Sequence, residues 1–247
     1  RGLDQFISGL YMDARFILVA TPSGVSLSTE GGMHQGVITP ELGVSLPGIT
    51  YYEPCFAREV EWVLLDAVRR IGAGQGGSYL LRLSTKPVDQ SLFPPDVPSP
   101  WQGDPSAGSG QRGQGVGRDA TPSPLEGEGR GEGYTSLRRA VLDGCYRYRS
   151  APTGLPSAVN LFAVGWMLPE ALEAVPMLEK EGVGVSLFCV TSPDMLYRRV
   201  RHAEADEASG RHTSRFDPTG LLDAHEVGQP VVTVQDGHPH AMSFLGG

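Results

Sequence analysis

A stretch of 37 residues, 97–133, divides this chain into two parts. The amino-acid composition of the stretch differs from that of both parts. The stretch contains ten glycines and five prolines, and Trp101 is its only aromatic residue. Such a composition offers too little apolar surface to offset the conformational entropy lost when a chain becomes ordered. We therefore predict that 97–133 is a low-complexity, disordered insert between two folded units, residues 1–96 and 134–247.

The first unit alternates predicted strands and helices with short connections. Runs of apolar and β-branched residues predict strands at 16–20, 49–52 and 78–83. Apolar residues recur at helical spacing over 56–71, and Pro54 stands just before that helix, where proline is tolerated. Strands and helices that alternate in this way favour parallel pairing within an α/β sheet.

The second unit shows the same alternation. Helices are predicted at 137–145, 169–181 and 194–201, and strands at 159–164, 184–190 and 231–234. Pro176 lies inside the second of these helices and should kink or shorten it. The predicted fold class is therefore α/β, with two parallel or mixed-sheet units.

Charge and cysteine content restrict the partners and the compartment. The formal net charge of −8 argues against nucleic acid or an anionic membrane as a partner. No apolar run reaches the roughly 18 residues that spanning a bilayer requires. Cys55, Cys145 and Cys189 show no CxxC spacing, which favours reduced thiols in a cytoplasmic protein. Because the chain begins at Arg1 and ends soon after a predicted strand, we expect both ends to be internal to a longer polypeptide.

Several motifs that could indicate a ligand site have simpler explanations. Two matches to G-x-G-x-x-G, at 72–77 and 108–113, do not lead from a strand into a helix, as dinucleotide binding requires. His238 and His240, with Asp236 close by, have neither an i, i+4 helical spacing nor a CxxC partner, so no metal site is predicted. No G-x-S-x-G elbow occurs, which argues against a serine nucleophile.

The segment 23–35 carries the candidate catalytic residues. It follows the first predicted strand and includes Glu30 and His34 in the run Glu-Gly-Gly-Met-His-Gln. Open α/β sheets bind ligands at the carboxyl ends of their strands, which is where this segment lies. An imidazole can donate or accept a proton near neutral pH, although a single loop histidine is often only a surface residue.

This segment also resembles the pyrimidine-binding domain of transketolase-like, thiamine-diphosphate-dependent enzymes. The resemblance includes 30–35 and the run Leu-Pro-Gly-Ile-Thr-Tyr-Tyr-Glu-Pro at 46–54, and residues 1–24 are most similar to the homodimeric pyruvate dehydrogenase E1 type. The run Asn-Leu-Phe-Ala-Val-Gly at 160–165 resembles the C-terminal domain of the same enzymes. The resemblance covers everything outside 97–133.

The resemblance implies an E1 component that decarboxylates a small 2-oxoacid, with pyruvate expected, and passes the acyl group to a lipoyl acyltransferase E2 partner. It implies thiamine diphosphate and Mg²⁺ in the parent enzyme, bound mainly by residues upstream of Arg1 and completed by a second E1 subunit. It gives His34 a role as general acid/base or hydrogen-bond donor and places Glu30 near the substrate. Residues 1–96 would then be the end of a pyrimidine-binding domain, and 134–247 a truncated C-terminal domain.

Two alternatives remain open. Transketolases carry an arginine that grips a sugar phosphate shortly after the strand matched by 80–83, whereas the closest positions here are Thr85 and Lys86. The missing arginine favours a small 2-oxoacid over ketol transfer from a sugar phosphate, although Lys86 could still act as a point charge. The second alternative is a non-catalytic remnant of such a gene. In either case the 247 residues alone are expected to be inactive, because half of each pocket is missing.

Overall fold

The computed structural model describes residues 2–20, 23–32, 35–94, 132–209 and 221–246, which form two sheets with helices around them. The helices are α1 (Gly2–Tyr11), α2 (Thr39–Ser45), α3 (Ala57–Gly72), α4 (Glu132–Leu142), α5 (Leu168–Lys180) and α6 (Pro193–Ala208). The strands are β1 (Ile17–Ala20), β2 (Ile49–Tyr52), β3 (Ser78–Arg82), β4 (Cys145–Arg149), β5 (Ser157–Val164), β6 (Val183–Val190) and β7 (Val231–Val234). The predicted insert lies outside the described residues, except that α4 begins within its last two positions.

The first sheet has the strand order β1-β3-β2, and both strand pairs are parallel, as predicted. Successive side chains of a strand point to opposite faces, so a sheet that is covered on both sides needs apolar residues at every position. Ile49 and Leu80 pack on the side of α1 and α2, whereas Tyr52 and Leu81 pack on the side of α3. The helices on both faces explain why β2 and β3 are continuous apolar runs, whereas Leu18 and Val19 of β1 remain exposed.

The second sheet has the order β4-β6-β5-β7, in which β5, β6 and β7 are parallel and β4 is antiparallel to β6. The parallel strands agree with the prediction, whereas the predicted extension of the preceding helix through Cys145 is wrong. Gly144 has φ +98°, a left-handed conformation that ends the helix. Cys145 is then the first residue of β4 and pairs with Val190. This antiparallel edge strand makes the sheet mixed.

Other differences from the predicted elements are smaller. Pro176 does not shorten α5, which continues to Lys180. Because Pro176 is exposed, the backbone carbonyl that it leaves without a helical partner can be hydrated. The helices α1 and α2 were not predicted, and α6 extends seven residues beyond the predicted end at 201.

The free edge of β2 joins the two units. Because β2 is the outer strand of its sheet, one side of its backbone needs partners other than a strand. The Tyr51 N–H donates to Asp194 Oδ2 at 3.2 Å, and the Tyr51 carbonyl accepts from Ser192 Oγ. The Glu53 N–H donates to the Thr191 carbonyl at 2.7 Å. The start of α6 therefore covers this edge and fixes the second unit against the first.

The glycine motif at 72–77 is a turn from a helix into a strand, as predicted. Gly74 has φ +70°, which suits a turn after α3. A Cβ at Gly77 would lie 2.2 Å from the Gly48 carbonyl oxygen, so the close backbone packing requires glycine. The second match, 108–113, lies outside the described residues.

The thiols show no sign of nucleophilic activation. Cys55, Cys145 and Cys189 are all free and buried. Burial raises the pKa of each thiol, so the reactive thiolate form is disfavoured. Across the described ranges, every helix is too short or too polar to span a bilayer.

Candidate functional site

Three segments meet at the carboxyl ends of the parallel strands in the first sheet. They are residues 23–32 after β1, Glu53 after β2, and residues 84–86 after β3. Since β3 is the central strand, 84–86 lies between the other two segments. This edge is where open α/β sheets bind ligands, and Glu30 ends a 3₁₀ helix within the first segment.

Arg82, the last residue of β3, is the buried centre of this edge. Its side chain is fully buried, and Nη1 donates to Glu53 Oε2 at 2.8 Å. Nη2 donates to the carbonyl oxygens of Ser23 and, at 2.7 Å, of Asp236, and the guanidinium lies 4.6 Å from the centre of the Trp166 ring. Burial lowers the pKa of Arg82, but the carboxylates of Glu53 and Asp236 outweigh it and the pKa is raised. Arg82 is therefore a permanent charge that links three segments.

Tyr51 and Glu53 face Arg82 from the end of β2. The Tyr51 hydroxyl donates to Glu53 Oε1 at 2.5 Å, so each carboxylate oxygen of Glu53 has a partner. Burial raises the pKa of Glu53, and the charge of Arg82 opposes this shift. A buried charge that loses its partner is strongly destabilising, so this pair fixes β2 relative to β3.

Asp236, which follows β7 in the second unit, holds the segment after β1. Its Oδ1 accepts from the Ser26 N–H at 2.9 Å and its Oδ2 accepts from the Ser26 hydroxyl at 2.5 Å. Gly24 permits this approach, because its φ is +142° and a Cβ there would lie 2.5 Å from Asp236 Oδ1. The carboxylate also lies 3.4 Å from Arg82 Nη2. The second unit thus positions the segment that carries Glu30.

Glu30 and Lys86, which are far apart in sequence, line the same depression. Its volume is about 230 Å³, and the other residues that line it are Ser26, Leu27, Ser84 and Thr85. The Lys86 ammonium contacts Glu170 on α5, and the two side chains are 52% and 42% exposed. Exposed ion pairs contribute little to stability. The ammonium could therefore exchange Glu170 for a bound anion at little cost.

His34 lies outside the described residues, together with Met33, so its predicted role stays a prediction. The flanking residues are described, and the Gln35 N–H donates to the Gly32 carbonyl at 3.4 Å. Glu30 itself is exposed and contributes to the wall of the depression.

A further buried carboxylate, Glu59, caps a helix and does not line the depression. Its Oε2 accepts from the N–H groups of Cys55 at 2.7 Å and Phe56 at 3.0 Å, which satisfies the start of α3. Burial raises the pKa of Glu59 to about 7, although these hydrogen bonds oppose the shift. Glu59 therefore changes charge near neutral pH while serving the fold.

Arg82, Glu53 and Asp236 are absent from the predicted site, although the sequence holds a signal for them. Each is a charged residue at, or within two positions of, the carboxyl end of an otherwise apolar strand. A charge at the end of a strand that is buried on both faces requires a partner. Applied to this sequence, that rule selects Arg82 and Glu53, whereas Asp236 is marked only by its position after β7, a strand that is exposed to half-buried.

Two clusters among the described residues could hold a metal ion, although none was predicted from sequence spacing. One consists of Glu41, His238 and His240, and the other of Asp223, His225 and Glu226. Neither cluster includes a residue that lines the depression.

Comparison with solved structures defines the class of fold. Over 96% of its length the chain matches transketolase from Pichia stipitis with a TM-score of 0.58 and 13% identity, covering 25% of that chain. Transketolase from Leishmania mexicana matches with a TM-score of 0.57 and 17% identity, covering 96% of this chain and 26% of that one. At these identities the matches establish a transketolase-like α/β fold.

Comparison of sequences gives more specific relatives. The chain is 25% identical to the pyruvate dehydrogenase E1 component of Mycolicibacterium smegmatis over 230 residues, which are 90% of this chain and 20% of that protein. The corresponding protein of Mycobacterium tuberculosis is 25% identical over 220 residues, or 88% and 19%. The chain therefore spans about a fifth of the length of these curated relatives. No family model matches it. The resemblance inferred from 30–35 and 46–54 is confirmed.

Proposed function

We propose that this chain is part of a thiamine-diphosphate-dependent E1-like enzyme. Its reaction is oxidative decarboxylation of a 2-oxoacid, pyruvate in the first instance, with acyl transfer to a lipoyl-bearing E2 partner. The main support is the segment 23–32, which Asp236 anchors at the carboxyl edge so that Glu30 and Lys86 line one depression. Similarity to pyruvate dehydrogenase E1 components over 90% of the chain supports the choice of this reaction for the site. Buried free thiols support a cytoplasmic location.

The charges around the depression favour a small carboxylate substrate. Of the described residues that line it, Lys86 alone is cationic, and Glu30 is anionic. A phosphate dianion would meet one compact ammonium, without the bidentate guanidinium that suits phosphate, and would be repelled by Glu30. A carboxylate carries a single charge, which Lys86 can match.

The described residues can supply only part of a cofactor pocket. The depression is small, and no metal-competent cluster among the described residues borders it. We therefore assign the groups that hold Mg²⁺ and the diphosphate to chain upstream of Arg1 and to a second E1 subunit. Thiamine diphosphate, when bound, supplies the carbanion-stabilising chemistry. This chain would contribute Lys86, which orients the substrate carboxylate, and an imidazole nitrogen of His34, which holds or delivers a proton.

The test is 2-oxoacid-dependent reduction of an artificial electron acceptor by the full-length gene product that contains these residues, with thiamine diphosphate and Mg²⁺ present. Pyruvate should support turnover, and His34→Ala should lower turnover by roughly 10²- to 10⁴-fold with little change in cofactor affinity. His202→Ala, an exposed position on α6, is the matched control and should have no effect. Turnover of ketose phosphates without turnover of 2-oxoacids would favour the transketolase alternative. Cofactor binding without any turnover would favour a non-catalytic protein.

A further inference from the structure

Two histidines and a glutamate converge where α2 meets the segment after β7. Glu41 lies on α2, while His238 and His240 lie at the start of the last 3₁₀ helix, Pro239–Leu245. His238 Nδ1 is 3.6 Å from Glu41 Oε2, and His240 Nδ1 is 3.9 Å from Glu41 Oε1. One ligand atom from each of the three residues lies within 4.8 Å of the others. The cluster joins parts of the chain that are nearly 200 residues apart.

Contacts outside the cluster hold its two segments in place. The His238 N–H donates to the Val37 carbonyl at 3.0 Å, and Gln235 Nε2 donates to the His238 carbonyl at 2.9 Å. Gly237 packs so closely on Pro40 that a Cβ there would lie 2.7 Å from Pro40 Cγ. The backbone is therefore positioned without help from the three side chains, so their convergence costs little additional ordering.

We infer that Glu41, His238 and His240 form a binding site for a divalent transition-metal ion of the Zn²⁺ class. Two imidazoles and one carboxylate are a ligand set that Zn²⁺ commonly takes, with a water in the fourth position. Ligands about 2.0–2.1 Å from a tetrahedral Zn²⁺ lie roughly 3.4 Å apart. The separations of 3.6 and 3.9 Å run to different oxygens of Glu41, and the three ligand atoms together lie within 4.8 Å of one another. The side chains must therefore move closer by up to roughly 1.4 Å to reach the tetrahedral spacing.

The imidazole of His238 already presents a lone pair to the cluster. Its Nδ1 lies 3.3 Å from the His240 backbone nitrogen, in the position of an acceptor, a contact that an unprotonated nitrogen makes. Metal ligation requires this form of histidine, and the ion would take over the lone pair. The His240 side chain is 69% exposed, which leaves a path for the ion and room for a water ligand.

The second cluster is a poorer candidate, because its buried carboxylate is already occupied. Both oxygens of Glu226 accept from Arg147, at 2.5 and 2.7 Å, and one also accepts from Ser186 Oγ at 2.5 Å. A cation there would have to compete with a guanidinium. In the part of the chain that the structure describes, no lysine or arginine pairs with Glu41.

The site would brace the segment that holds the candidate active site. His238 is two residues from Asp236, which binds Ser26. An ion bound by both α2 and the segment after β7 would hold the backbone two residues after Asp236, in addition to the contact of Asp236 with Ser26. This inference does not depend on the proposed reaction, because it concerns only the described residues and a bare metal ion.

The test uses the 247-residue chain, freed of metal with a chelator and titrated with Zn²⁺ against a chromophoric competitor. We expect one saturable equivalent. Glu41→Gln and His238→Ala should each weaken binding by roughly tenfold or more, since even loss of an outer-shell partner costs 10–100-fold. His202→Ala is the control and should bind as the unmodified chain does.

Melting curves provide a second measurement and check that each variant folds. At a hundredfold excess over Kd, Zn²⁺ should raise the melting temperature of the unmodified chain by roughly 5–10 °C. Glu41→Gln nearly keeps the size of the side chain and should melt normally without metal, but it should lose most of this rise. Undiminished binding by Glu41→Gln and His238→Ala would overturn the inference, as would the absence of a saturable equivalent. Loss of binding in His225→Ala instead would place the ion in the other cluster and would also overturn it.

Discussion

Asp236 binds Ser26 through both of its carboxylate oxygens, at 2.9 Å to the backbone N–H and 2.5 Å to the hydroxyl, across 210 positions of sequence. A two-point contact fixes both the place and the orientation of the segment after β1. The same carboxylate lies beside the fully buried Arg82, so it also balances a charge that solvent cannot screen. The contact therefore ties the geometry of the candidate site to the stability of the whole chain.

Replacing Asp236 with asparagine tests this link. Asparagine keeps the size of the side chain but offers Ser26 only one acceptor oxygen, and Arg82 loses one of its two carboxylate neighbours. The free energy of unfolding, measured by urea denaturation at pH 7, should fall by about 2–4 kcal/mol. Asp13→Asn is the control, because Asp13 is exposed at φ +55°, which asparagine tolerates. Asp13→Asn should change the free energy of unfolding by no more than about 0.5 kcal/mol. Equal effects of the two substitutions would show that the buried contact of Asp236 does not contribute to stability.

Two glycines of the same segment should respond differently to alanine. Gly24 has φ +142°, and its Cβ would lie 2.5 Å from Asp236 Oδ1, so Gly24→Ala should lower the free energy of unfolding by about 1–3 kcal/mol. Gly32 has no such φ, and a Cβ there would meet no atom of the described residues within 4 Å. Gly32→Ala should therefore be neutral or stabilise by up to about 1 kcal/mol. Similar losses for both variants would mean that the approach of Asp236 does not decide the result.

The parallel strands β2, β3, β5 and β6 could be predicted from sequence because burial on two faces leaves continuous apolar runs, whereas β1 and β7 are apolar runs that stay partly exposed. The edge strand β4 could not be found in the same way. Its first two residues are buried and the next three are only partly buried, and the helical spacing before it continues into Cys145. Asp143-Gly144 is a turn signal, and it should have outweighed that spacing.

The location proposed for the candidate site rests on two features that the sequence shows, the end of an apolar strand and a glycine-containing run. The residues that hold it together could not be paired from sequence. Asp236 meets Ser26, and Lys86 meets Glu170, only because two sheets dock along β2. No local pattern encodes such contacts, although the charges themselves are visible at the strand ends.

Glu226 should protect the fold against acid. Burial raises its pKa, but hydrogen bonds from Arg147, Ser186 and the Asp223 N–H outweigh burial and hold the pKa at about 2. A carboxyl whose pKa is lowered on folding adds stability above its unfolded value near 4.5, and this stability is lost as the pH falls towards 2. Glu226→Gln should cost about 2–3 kcal/mol at pH 7, and urea denaturation should show a smaller loss between roughly pH 4.5 and 2 than in the unmodified chain. An unchanged acid profile would contradict this assignment.

Glu59 should make the fold less stable as the pH rises towards neutrality. Burial raises its pKa to about 7, so between the unfolded value near 4.5 and pH 7 the folded chain binds a proton that the unfolded chain has released. The contribution of this group to stability is complete below about pH 4.5 and is lost as the pH rises through 7. The shift corresponds to a change on the order of 3 kcal/mol.

Glu59→Gln removes the titrating group and keeps an oxygen that can accept from the N–H of Cys55 or Phe56. Subtracting its free energy of unfolding from that of the unmodified chain, at steps from about pH 4.5 to 8, isolates this group from every other carboxyl that titrates. The unmodified chain should lose stability relative to Glu59→Gln as the pH rises, so this difference should fall by an amount on the order of 3 kcal/mol. Glu173→Gln, an exposed position on α5, should give a flat difference over the same range. A flat difference for Glu59→Gln as well would mean that the buried carboxyl keeps its charge throughout, stabilised by the helix start that it caps.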